Sequence, residues 1–77
     1  MTPLFGFHMA SFSYPDVPPE QLFDHVIALA QAAESAGFDL PTVMDHFYQI
    51  PIVGADTEPM LEAYSTLAAL AQVTQRM

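Results

Sequence analysis

Cysteine and tryptophan are absent from the 77 residues, and one basic side chain, Arg76, stands against nine acidic ones for a formal charge of −8. Without cysteine there is no disulfide framework, no thiolate zinc site and no thiol nucleophile. The redox compartment stays open, with a lean toward the cytoplasm. With one cation there is no basic stripe to neutralise phosphates, so nucleic acid and anionic lipid surfaces are poor partners. Glycine occurs only at 6, 37 and 54, which gives no G-x-G-x-x-G turn and no phosphate loop, and a dinucleotide-binding reading fails. No positive region precedes the first apolar residues, as a secretory signal would require. The longest late uncharged stretch, Ala63 to Gln75, carries Ser65, Thr66, Gln72 and Thr74 and falls short of the ~18 to 20 apolar residues of a membrane span.

Apolar residues make up 52% of the chain and charged ones 13%, against roughly a quarter charged in ordinary domains. A domain this small buries only about 60% of its unfolded surface and usually leans on a staple or a partner. Here the staple is missing, so a half-apolar chain points to self-association or to further structural units.

Periodicity gives the elements. From Leu4 to Phe12 large apolar residues (Phe5, Phe7, Met9) alternate with small or polar ones (Gly6, His8, Ala10), a period of two that predicts a strand. Pro15, Pro18 and Pro19 stop it. A helix is predicted to start near Pro19 or Glu20, burying Leu22, Phe23, Val26, Ile27, Leu29, Ala30 and Ala33 and solvating His25 and Glu34. Gly37 fits the left-handed position after its last turn, with Phe38 contacting that turn. Leu40 to His46 reads as a second strand and Phe47 to Thr57 as an 11-residue loop. Thr57 is the expected N-cap of a second helix with Met60, Leu61, Tyr64, Leu67, Ala68 and Ala71 as its apolar stripe. The order strand, helix, strand, helix without a hairpin turn makes the fold α/β, with two parallel strands joined by a crossover. There is no room for a third strand after Met77.

Few residues carry reactive chemistry. His46 ends the second strand before a long loop, and imidazole titrates near neutrality, which suits proton exchange; a hydrogen-bonded strand-end histidine is the alternative. His8 shares a strand face with Gly6 and Ala10, the small side of that strand, where a polar residue is ordinarily satisfied by a neighbour. The three histidines show no His-x-x-x-His spacing, so no metal is expected. The serines sit in no nucleophile elbow, and hydrolase chemistry gains no support. The apolar loop Phe47 to Ala55 is either a pocket wall or an excursion docked on other units.

Three segments together carry a family resemblance: Ala32-Ala33-Glu34-Ser35-Ala36-Gly37-Phe38-Asp39; Val43-Met44-Asp45-His46-Phe47-Tyr48-Gln49; and Glu58-Pro59-Met60-Leu61-Glu62-Ala63-Tyr64, followed by Leu67-Ala68-Ala69-Leu70-Ala71 and Thr74-Gln75-Arg76. In this order the chain resembles the start of luciferase-like monooxygenases, above all the branch that uses the deazaflavin coenzyme F420. The resemblance implies a TIM-type (β/α)8 barrel, a fold of ~250 residues, of which residues 1–77 would be the first two βα units, the N-terminal quarter. It implies an oxidoreductase that transfers hydride or an oxygen atom to a small organic substrate, with reduced F420 or, alternatively, FMN. His46 would be the active-site acid/base, Asp45 a contact to the coenzyme ring region and His8 a further residue facing the ring. A metal-dependent sugar-isomerase barrel and a non-enzymatic, self-associating α/β fragment are the other readings.

Overall fold

A computed structural model of the chain describes residues 2–77. Strand β1 (Gly6–Met9) pairs in parallel with β2 (Leu40–Val43), and the helices α1 (Leu22–Ser35) and α2 (Ala63–Val73) follow them in a β-α-β-α order. The register sets Gly6 beside Leu40, Phe7 beside Pro41, His8 beside Thr42 and Met9 beside Val43. Pro41 is tolerated because each strand of a two-stranded ladder is an edge strand.

Both strands are shorter than the alternation suggests. Phe5 is 62% exposed outside β1, whereas Phe12, beyond its other end, is 1% exposed and part of the core. Alternation records which residues could face a core, but a strand persists only where a partner backbone runs beside it, and the ladder stops at Met9 and Val43.

The turn between β1 and α1 is made by Tyr14 to Val17, closed by the Val17 N–H on the Tyr14 carbonyl at 3.4 Å, with Asp16 at φ 63°. Aspartate tolerates this left-handed backbone better than most residues. The expected start at Pro19 is a short 3-10 turn, Pro19–Gln21, that leads into α1. Its proline loses nothing there, since first-turn N–H groups have no helical partner. At the far end Gly37 takes φ 105°; its N–H donates to the Glu34 carbonyl and the Phe38 N–H to the Ala33 carbonyl, each at 3.1 Å. These two bonds form the Schellman closure anticipated at Gly37. The Phe38 ring meets that of Phe7 on β1 edge-on, with centroids 5.5 Å apart.

Helix α2 begins later than expected. Thr57 does not cap it; Glu62 does, its Oε2 accepting the Ser65 N–H at 3.2 Å. Met60 and Leu61 precede the helix and pack on the core. The buried face of α2 is Ala63, Thr66 and Leu70, while Tyr64 is 77% exposed. Apolar residues at 60, 61 and 64 fit a helical stripe as well as an extended approach, and contact with the core selected the latter for the first two.

Met9, Phe12, Val26, Ala30 and Leu70 form the buried core, with Phe7, Leu22, Ile27, Val43 and Val73 packed around it. Both helices therefore cover one face of the sheet. The other face, carrying Gly6 and His8, is exposed. Beyond α2 the chain is fastened back: Glu34 accepts the N–H groups of Gln75, Arg76 and Met77, and the Arg76 guanidinium reaches the Glu34 and Phe38 carbonyls at 3.0 and 2.9 Å and Asp39 Oδ1 at 3.2 Å. Glu34 is thus no idle member of a solvated helix face. His25, also expected in water, lies against Tyr14 with ring centroids 4.3 Å apart. In both cases a segment outside α1, the turn before it at His25 and the chain end some 40 residues on at Glu34, folds over its polar side.

Candidate functional site

Parallel strands direct their C-terminal ends toward the loops that follow them, and in α/β folds ligands gather at that end. Here the ends are Met9 and Val43, followed by the segments 10–18 and 44–62. Asp45 and His46 lie just beyond β2 and are both exposed, so His46 stands three residues past the strand rather than at its last position. They share a cleft of about 120 Å³ with Phe47, Met60, Leu61, Glu62 and Ala63. The first turn of α2 and its Glu62 cap thus form the wall opposite the Asp45–His46 pair.

A wider pocket of about 360 Å³ lies among the loops, lined by Phe12, Tyr14, Val17, Leu22, Thr57 and Pro59 among others. Its walls are mostly apolar, with the Tyr14 and Thr57 hydroxyls as polar points. Burial pushes the Tyr14 phenol above its usual value of 10.0, so it remains a hydrogen-bond donor throughout the neutral range.

His8 lies apart from this cleft. On the uncovered sheet face its Nδ1 is 2.7 Å from Thr42 Oγ1, a cross-strand pair of the kind that satisfies polar strand residues. The structure thus brings Asp45 and His46 together and sets His8, with Thr42, on the sheet below them.

Sequence reasoning passed over Gln49. It is 3% exposed, its Nε2 donates to the Ala10 carbonyl at 2.8 Å, and its Oε1 accepts the Ile50 N–H at 3.0 Å. One signal was available, since Gln49 is the single side-chain amide in the apolar run Phe47 to Ala55. Further along the same loop, Gly54 makes room for Glu58: a Cβ on Gly54 would overlap the Glu58 carboxylate, whose Oε1 is buried without a hydrogen-bond partner among the described residues.

The residues present fit one half of a flavin-type coenzyme. On the uncovered sheet face the Leu40 side chain lies beside Gly6, within 3.8 Å of where a Cβ would stand, and offers an apolar contact to a ring, while the His8–Thr42 pair and the Asp45–His46 pair carry donors and acceptors for a polar ring edge. Among the described residues the phosphate-bearing half finds no free Lys or Arg, because Arg76 is engaged with Asp39 at the opposite end of the strands.

No helix among the described residues is long and apolar enough to cross a membrane. None of the curated proteins and none of the solved structures compared with the chain matches it. The profile of the luciferase-like monooxygenases matches residues 4–77, which takes in both βα units and the cleft between them. A parallel β-α-β-α unit is consistent with the start of such a barrel, and on that match the chain belongs to the luciferase-like monooxygenase family.

Proposed function

We propose that the chain forms the first two βα units of a luciferase-like barrel and supplies the acid/base side of an oxidoreductase site, with reduced F420 as coenzyme and FMN as the alternative. When bound, the coenzyme supplies the hydride or oxygen-transfer chemistry. His46 exchanges a proton with the reacting substrate or ring, and Asp45 and His8 contact the polar ring edge. The mostly apolar pocket beside Tyr14 takes a small organic substrate and keeps water from it. The phosphate-bearing half of the coenzyme is left to loops of further βα units, as is common in these barrels. Such units would also cover the open sheet face and the exposed aromatic residues.

The observation that carries this reading is the Asp45–His46 pair in a cleft at the C-terminal end of a parallel strand pair, within a chain of this family. It favours an oxidoreductase over the sugar-isomerase barrel. In the full-length enzyme His46→Ala is expected to lower kcat by about 10²- to 10⁴-fold with coenzyme affinity nearly unchanged, as removal of a general acid/base does. Asp45→Ala is expected to weaken coenzyme binding by roughly 1 to 3 kcal/mol, the cost of a lost charged hydrogen-bond partner. Steady-state kinetics and fluorescence titration read the two effects separately. Wild-type kcat in His46→Ala from about pH 5 to 9, the range that brackets imidazole titration, overturns the acid/base role.

A further inference from the structure

The loop that carries Asp45 and His46 inverts the ordinary rule of burial. Phe47 is 94% exposed, Tyr48 72% and Ile52 89%, yet Gln49, an amide in their midst, is 3% exposed. A buried amide persists where its hydrogen bonds are met, and Gln49 meets them on both sides, once with a distant segment and once within its own. Its Nε2–H donates to the Ala10 carbonyl at 2.8 Å, and its Oε1 accepts the Ile50 N–H at 3.0 Å. Ala10 is the first residue beyond β1, where the ladder with β2 has ended. The Gln49 side chain therefore provides the link that the backbone of β2 no longer provides there, and ties the segment after β2 to the end of β1. His46 is three residues away in that segment.

We infer that Gln49 is the positioning residue of the site: its amide fastens the Asp45–His46 segment to the end of β1 and so fixes where His46 stands over the sheet. This rests on the reading of Asp45 and His46 as the reactive pair. Places where a local rule such as burial of aromatics over amides is broken are where functional constraints are expected.

The chain contains no cysteine, so single cysteines can carry spin labels without background. Electron-spin distance measurement between labels at Phe47→Cys and Ala32→Cys, both exposed positions on the loop and on α1, reads the placement of the loop. A second pair at Ala32→Cys and Ala68→Cys, exposed on the two helices, reads the packing of the core, and dilution with unlabelled chain removes distances between molecules. With Gln49 present, the loop pair is expected to give one narrow distance peak. Gln49→Met, similar in shape but unable to donate, is expected to lose that peak while the helix pair keeps its own. Gln49→Glu has no donor when ionised and is expected to lose the peak near neutral pH. It should regain the peak at about pH 5 as burial helps the introduced carboxyl to protonate. An unchanged loop peak in Gln49→Met overturns the proposal, and so does equal broadening of both pairs, which would make Gln49 a core filler. The readout needs neither coenzyme nor turnover. It can fail while His46→Ala still abolishes activity, and it can hold while His46→Ala does nothing, so the two failures are told apart.

Discussion

At the scale of single residues, Glu34 shows how one carboxylate can close a fold that has no covalent staple. The N–H groups of Arg76, Met77 and Gln75 all favour its ionised form, with the Arg76 charge adding to them, and hold the carboxyl below the usual glutamate value of 4.5. A group whose value is lowered on folding contributes stability above its unfolded value and loses it as pH falls through the folded one. The urea midpoint of the wild-type chain should therefore exceed that of Glu34→Gln at neutral pH, and the difference should shrink below about pH 4.5. A difference independent of pH would assign the effect to packing instead of charge. Gln49 and Glu34 act alike, each satisfying backbone groups of a segment some 40 residues distant. The lone amide in an apolar run marks Gln49 as unusual, but in neither case do the neighbours in sequence name the distant partner.

At the scale of elements, α1 was almost wholly legible and α2 was not. Pro19, the apolar spacing of Leu22 to Ala33 and Gly37 each act within a turn or two of the backbone, so the sequence specifies them locally. The start of α2 depended on a competition between Thr57 and Glu62 as caps, and the packing of Met60 and Leu61 on the core decided it. The caps give a direct test. Glu62→Ala should destabilise the chain by about 0.5 to 2 kcal/mol in urea denaturation, the usual cost of a lost N-cap, while Thr57→Ala should change little. The reverse order would place the start of α2 where the sequence first suggested it. The wall of the Asp45–His46 cleft moves with this boundary, because Glu62 and Ala63 are both part of it.

At the scale of the whole molecule, the sheet is covered on one side only. The radius of gyration is 12.9 Å with extents of 40 × 26 × 21 Å, whereas a compact domain of this length has a radius of roughly 11 to 12 Å. Leu4, Phe5, Phe47, Tyr48, Ile52 and Tyr64 remain largely exposed. Exposed apolar area and two open strand edges favour association, and a formal charge of −8 opposes it. The isolated chain should therefore scatter light as a species heavier than its 8.5 kDa, increasingly so as salt screens the repulsion between copies. A monomer with a sharp melt at high salt would show that the one-sided sheet is sufficient by itself.

The sequence by itself determined the α/β class, the parallel pairing implied by strand, helix, strand, helix, the span and Gly37 closure of α1, and the adjacency of Asp45 and His46 in the stretch that opens with β2. Each of these is written in periodicity, in proline and glycine positions, or in adjacent residues. Tertiary structure alone decided that Phe12 is core and Phe5 is not, that Glu62 and not Thr57 caps α2, that His25 meets Tyr14, and that Gln49 turns inward among exposed aromatics. These outcomes turn on which backbone or side chain from another segment arrives beside a residue, or, at Glu62, on where the core contact of Met60 and Leu61 lets the helix begin. Local propensity ranks the options for each residue, but burial and hydrogen-bond partners are shared between segments and are settled only when those segments meet.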